Sequence, residues 1–251
     1  MIFHIPHSSK VIPQEQRSAL DLEEQQLNNE LLAMTDAFTD ELFGTHAKES
    51  DPIISFPISR LIVDPERFLD DKDEVMASFG MGVIYTNTSS GGILRNIPSK
   101  AERKSLIRKY YLPHHQLLAN AVKNELERYG RALIIDCHSF PSRPLPYELN
   151  QNPDRPDICI GTDEFHTPPS LHQAAEEEAL KQGFKCALNR PFFGSLVPSE
   201  FYRSNKNVYS IMIELNRKLY MNEGTGEKSS NFRTCLRKLG YIIDVLSGIN
   251  L

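Results

Sequence analysis

The chain is poor in features that mark several large functional classes. Only four of its 251 residues are cysteines, Cys137, Cys159, Cys186 and Cys235. They lie far apart, form no CxxC pair and read as reduced thiols rather than a disulfide framework. No apolar run reaches the roughly 18 residues that cross a bilayer, so no membrane partner is expected. The basic excess that a nucleic-acid surface needs is missing too. The chain has 28 Lys and Arg against 33 Asp and Glu, a net charge of −5. The opening MIFHIPHSSK has neither a basic segment nor a long apolar one. It therefore does not read as a signal peptide, and a cytoplasmic location is expected. Walker and G-x-G-x-x-G patterns are absent, which gives no indication of phosphate binding. No repeat, low-complexity tract or linker divides residues 1–251, so one domain is expected.

What is present suits a soluble globular protein, with 40% apolar and 24% charged residues. IFHI reads as a first strand, and PIISFP and RLIVD as two more, with Val83-Ile84-Tyr85 as a further short one. Residues 21–47 carry Leu27, Leu31, Met34, Phe38 and Leu42 at helical spacing, with a break near Thr35. Residues 99–128 form a long helical pattern interrupted at Pro113. RALIID is a buried strand. A helix over 169–182 follows, with Ser170 as N-cap and Gly183 as stop. VYSIMIEL is the last strand, and 229–247 the last helix. Strands alternating with helices predict an α/β fold with a mostly parallel sheet covered on both faces.

Ligands of such sheets sit beyond the carboxyl ends of the strands. Three reactive clusters fall there: His7-Ser8 after the first strand, Asp136-Cys137-His138-Ser139 in the middle, and Glu214 with Asn216 and Arg217 later. Glu214 follows Tyr209–Ile213 with little polar relief, and needs a charged partner or a catalytic purpose. Taken alone, His7 and His138 read more readily as capped turn or loop residues than as ligands, and Glu214 reads as well as the partner of a nearby arginine. Together, two imidazoles and one carboxylate make a catalytic zinc site with an open position. A further carboxylate then serves as general base. Cys137 and His138 are adjacent on a strand and point to opposite sides, which argues against a thiol–imidazole pair. Ser139 lacks the G-x-S-x-G elbow of hydrolase serines. Arg60 and Arg67 in SRLIVDPERF suit a substrate carboxylate, or pair internally with Asp64 and Glu66. The polar loop YTNTSSGGILR (85–95) suits a segment that closes over a ligand.

IPHSS, MTDAFTDELF, RLIVDPER, YYLPHH, IIDCHSF, Gly161-Thr162 and IELNRKLYMNE stand in the order found in N-formylglutamate amidohydrolases, and the chain resembles that family over about residues 3–225. The resemblance implies a three-layer α/β/α domain like the zinc carboxypeptidases and aspartoacylases (phosphorylase/hydrolase-like), with a mixed, mostly parallel sheet. It implies hydrolysis of the amide of an N-acyl amino acid such as N-formylglutamate, with one zinc ion, although other divalent metals suit the same donors. His7 and His138 match the family's histidines. Asp36 is taken as the carboxylate ligand, with Asp136 as fallback or as the group orienting a ligand histidine, and Ser8 beside His7 in a similar supporting place. Glu214 takes the general-base role. Arg60, Arg67, Arg203, Asn216 and Arg217 are taken as substrate contacts, implying a small carboxylate as partner. His4 is read as structural and His115 as packing. RPFFGSLVPSEFYRSN (190–205) departs from the family's pattern, which puts the substrate's identity in doubt. The alternatives are a peptidase or peptidoglycan-type amidase on the same scaffold, and a non-catalytic protein binding a small carboxylate.

Overall fold

A computed structural model describes residues 1–251. Its centre is a six-stranded sheet of β1 (Ile2–Ile5), β2 (Ile53–Ser55), β3 (Ala132–Phe140), β4 (Ile158–Gly161), β5 (Cys186–Leu188) and β6 (Val208–Asn216). The order is β2-β1-β3-β6-β4-β5. All neighbours pair in parallel except β4 with β6. The helices are α1 (Gln14–Arg17), α2 (Glu24–Met34), α3 (Thr39–Gly44), α4 (Lys100–Leu106), α5 (Leu112–Tyr129), α6 (Pro169–Lys181) and α7 (Phe232–Gly248). The expected α/β class with a mixed, mostly parallel sheet is what the chain adopts.

Alternation along the strands divides the core between the two faces of the sheet. Phe3 and Ile5 of β1, Ile135 and Cys137 of β3, and Ile211, Ile213 and Leu215 of β6 share one apolar cluster. That cluster includes Leu42 and Phe43 of α3, Leu171 and Ala175 of α6, and Leu239 and Ile243 of α7. On the opposite face, Ile2, Ile134 and Val208 pack under Leu118, Ala121 and Val122 of α5. Farther along this second face the apolar residues give way to His4, Asp136, His138 and Glu214. Strand pairing sets His4 beside Asp136 and His138 beside Glu214.

Several expectations change. β3 runs four residues past Asp136 to Phe140, because its polar side chains all find partners inside the protein. β4 and β5 carry too few residues to stand out between polar segments and were not expected. RLIVD is buried but not extended. Leu61, Ile62 and Val63 enter an apolar cluster through a turn in which the Ile62 amide donates to Ser59 O at 3.0 Å. Val83–Tyr85 contributes only an isolated bridge between Met81 and Tyr85. Pro113 does not interrupt its helix. A π turn over Ile107–Tyr111 widens the backbone there, and the Leu112 amide reaches back to Ile107 O. Pro113 therefore falls in the first turn of α5, where its missing N–H and fixed φ are tolerated. Helix α6 begins behind Pro168 without a Ser170 side-chain cap. Gly161 closes β4 where a Cβ would collide with the Gly194 carbonyl, so the loop after β5 can lie against the sheet.

Candidate active site

β1 ends at Ile5, and Pro6 leads directly to His7, which is buried. The Asp36 amide donates to His7 O at 3.0 Å and ties the α2–α3 turn to this loop. Asp36 Oδ2 then lies 3.1 Å from His138 Nδ1 and 3.7 Å from His7 Nδ1. His7, Asp36 and His138 each offer one ligand atom, all within 4.8 Å of one another. His7 Nδ1 is buried and has no hydrogen-bond partner, while its Nε2 sits 2.9 Å from Asp64 Oδ1. An imidazole held from behind by a carboxylate, with its front nitrogen unpartnered, has the form of a metal ligand. Two imidazoles and one carboxylate thus fit a divalent cation, zinc included.

The carboxylates around this centre are held ionised. Burial opposes ionisation of Asp36, but the hydrogen bond from His138, the nearby His7 ring and the Arg217 charge outweigh it and keep the carboxyl below its usual range. Burial likewise opposes ionisation of Asp64, and the charges of Arg60, His7 and Arg67 overcome it. In Asp136 burial is overcome by His138 and His4. For His138 burial disfavours the cation, yet Glu66, Asp136 and Asp36 together raise the imidazole well above its ordinary range.

Glu214 behaves in the opposite way. It is buried, its Oε2 has no hydrogen-bond partner, and burial pushes its carboxyl up to about 8. A buried carboxyl that holds its proton near neutral pH beside a ligand cluster has the properties of a general acid–base group.

The structure redistributes several expected roles. Arg217 is buried with its guanidinium committed to the protein. Its Nη2 donates to Asp36 Oδ1 at 3.0 Å, its Nε to Ser139 Oγ at 3.2 Å and its Nη1 to Ala33 O at 2.6 Å. It fixes Asp36 from behind. Asn216 is fully buried, donating to Pro156 O at 2.9 Å and accepting from the Lys218 amide at 3.2 Å. Arg203 is exposed over the Tyr202 ring, and its amide donates to His166, near the opposite end of β6. Ser8 is half-buried and makes no side-chain hydrogen bond to the cluster. Arg60 is the arginine that pairs internally, with Nη2 2.7 Å and Nε 3.1 Å from Asp64 Oδ2. Arg67 pairs with the same carboxylate only loosely: its Nε is buried without a hydrogen-bond partner, 3.7 Å from Asp64 Oδ2. Cys137 faces the apolar core, where burial pushes its thiol well above the usual range. The loop after β5 reaches the site through one contact, the Leu196 amide donating to Asp136 Oδ2 at 2.9 Å.

Other residues join the cluster beyond those read as functional. Glu66 Oε2 lies 3.1 Å from His138 Nε2, so it faces the histidines rather than an arginine. His4 Nδ1 sits 2.8 Å from Asp136 Oδ1, and Tyr85 donates its hydroxyl to Asp64. His115 stacks on Tyr111 with ring centroids 4.1 Å apart, and its Nε2 lies 2.7 Å from Pro65 O. It braces the turn that carries Asp64 and Glu66.

Because Arg217 is a buried partner of Asp36, Arg217→Met in the metal-free protein is expected to cost about 3–5 kcal/mol. Denaturant unfolding measures this, and a change within about 0.5 kcal/mol, ordinary for a surface position, would refute the role.

Comparisons with known proteins identify the family and the fold. Residues 1–221 match the family model of N-formylglutamate amidohydrolase. An N-formylglutamate deformylase of Pseudomonas putida is 24% identical over 228 residues, covering 89% of this chain and 82% of that protein. A crystal structure of N-formylglutamate amidohydrolase from Ralstonia eutropha JMP134 shares the fold, with TM-score 0.83, 24% identity and coverage of 98% of this chain and 91% of its own. A gene product of Agrobacterium tumefaciens has TM-score 0.68 at 17% identity, covering 98% and 90% of the two chains. With nearly its whole length matched by one family model, the chain belongs to the N-formylglutamate amidohydrolase family.

Proposed function

We propose that the protein is a metal-dependent amidohydrolase that removes the acyl group from an N-acyl amino acid, with N-formylglutamate as the first candidate. The observation that carries this reading is the buried, unpartnered Nδ1 of His7 facing Asp36 and His138, with the high-pKa carboxyl of Glu214 beside them. His7, Asp36 and His138 would hold the ion. When bound, it would supply Lewis acidity toward water and the amide carbonyl. In its ionised form Glu214 takes one proton from the attacking water and returns it to the departing amine, so the carboxylate ends the cycle as it began. Arg67, whose guanidinium makes no side-chain hydrogen bond, receives a substrate carboxylate. Asp64 and Arg217 keep His7 and Asp36 from turning away. The burial of His7, His138 and Glu214 suits a small substrate better than a peptidoglycan strand.

The test is formate release from N-formyl-L-glutamate, with metal content measured in parallel. Activity is expected to disappear on chelation, return with zinc and track about one ion per chain. Full activity in metal-free protein would sink the proposal. Arg67→Ala is expected to raise KM by about 10–100-fold, with kcat changed far less, since a charged hydrogen bond is worth roughly 1.5–3 kcal/mol. A fall in kcat alone would place Arg67 elsewhere in the reaction.

A further inference from the structure

Two buried imidazoles, His4 and His114, lie behind the acid–base row and take no part in the chemistry above. His4 stands on β1 opposite Asp136 of β3. His4 Nδ1 is 2.8 Å from Asp136 Oδ1, and its Nε2 is 2.9 Å from Nε2 of His114 on α5. Asp136 Oδ1 also lies 3.2 Å from His138 Nε2, while Oδ2 accepts from the Leu196 amide. Beyond this row, His114 meets the Phe56 ring at 5.0 Å, edge to face, and its Nδ1 is buried without a partner.

Hydrogen-bond counting leaves one favourable arrangement of protons. A carboxylate only accepts, so His4 Nδ1 carries a hydrogen toward Asp136. One hydrogen lies between the two Nε2 atoms. If His4 supplied it, His4 would be a cation, and neutral His114 would bury its only N–H at Nδ1 with no acceptor. If His114 supplies it, both rings are neutral and the only unpartnered atom is a lone pair. Burial holds the His114 imidazole neutral, pushing it down to about 2, and only the second arrangement avoids burying an N–H donor at His114 Nδ1 with no acceptor.

We propose that His114 and His4 are positioning residues: His114 donates to His4, His4 donates to Asp136, and Asp136 so fixed accepts from His138 Nε2, aiming His138 Nδ1 at Asp36 and His7. The proton positions stand on the structure alone. Their effect on metal binding rests on the function proposed above.

Nitrogen-15 imidazole spectra of the metal-free protein, assigned with His4→Gln and His114→Gln, read the proton positions directly. A neutral His4 protonated at Nδ1 and a neutral His114 protonated at Nε2 are expected. A doubly protonated His4, or His4 protonated only at Nε2, overturns the proposal. Chelator competition then measures zinc affinity in two variants. His114→Phe keeps the volume but loses the donor, and should weaken zinc about 10-fold, as losses behind a metal ligand do. His114→Gln, which restores an N–H near the same point, should stay within about 3-fold of the parent protein, well short of that loss. Equal losses in both variants, or no loss in His114→Phe, would reduce the pair to packing. A second zinc per chain that disappears in His4→Gln would make His4 a ligand and refute its donor role. Should the parent protein bind no zinc, the hydrolase reading falls, and the spectra alone decide the proton chain.

Discussion

Glu214→Gln should lower turnover by about 10²–10⁴-fold, the range for losing a general acid–base group. The amide has nearly the same shape but holds no transferable proton, and Glu214 is not among the three residues that would hold the metal. Metal content should therefore be unchanged. The same substitution should stabilise the metal-free protein at alkaline pH. The folded carboxyl keeps its proton up to about 8, whereas in the unfolded chain it ionises near its ordinary value, about 4.3. Between those values the folded state binds more protons than the unfolded state, so stability falls as pH rises. The loss is complete above about 8. The Gln variant escapes it. Thermal unfolding should show little difference near pH 4 and a higher Tm for the variant near pH 9. For a chain of this size about 2–4 °C corresponds to each kcal/mol. A Tm difference that does not grow with pH would remove the case for a perturbed carboxyl, and retained turnover would remove Glu214 from the chemistry.

His138→Ala should remove both metal binding and turnover, the latter by at least about 10³-fold, as expected when a group acting as part of a catalytic unit is lost. His138 joins two sets of carboxylates. Its Nδ1 faces Asp36, and its Nε2 faces Asp136 and Glu66 at 3.1–3.2 Å. Removing the ring would take away a proposed ligand and leave three carboxylates without the group between them, so the metal-free fold should weaken as well. Because these neighbours raise the folded imidazole, its contribution is fully present below the ordinary histidine range and is lost as pH rises through the raised value. The penalty of His138→Ala in metal-free protein should accordingly shrink in strong alkali. Asp136→Asn is the companion measurement, with zinc affinity down about 10–100-fold, because it touches the ligand from behind. Zinc affinity unchanged in His138→Ala would show that the ion, if any, sits elsewhere.

The sequence makes β1, β3 and β6 legible because each is an apolar run ending in reactive residues. It also shows that Asp136 and His138 share a face, since that follows from period-two geometry. What it hides is direction. Asn216 and Arg217 stand two and three residues after Glu214, close enough in sequence to suggest a shared pocket. Yet β6 ends at Asn216, and the 3-10 turn over Arg217–Leu219 directs the guanidinium back to Asp36. RLIVD has the composition of a strand, but nothing in composition reveals that a turn buries it. Glu66 and His4 were visible as residue types, and only the folded chain shows them facing His138 and Asp136. His114 lies 110 positions from His4, a separation that no local pattern can signal.

The π turn before α5 makes the site depend on chain length as well as on residue type. A π turn holds one more residue than an α turn needs. Were Ile107–Tyr111 to wind as regular α at the same residue count, everything beyond would rotate by roughly 100°. His114 would then swing away from His4, and His115 from Pro65. A one-residue deletion inside the turn would restore regular α and leave both histidines facing their partners, whereas a further deletion would turn both supports of the site away at once. The segment works as a spacer, and its informative variable is an integer.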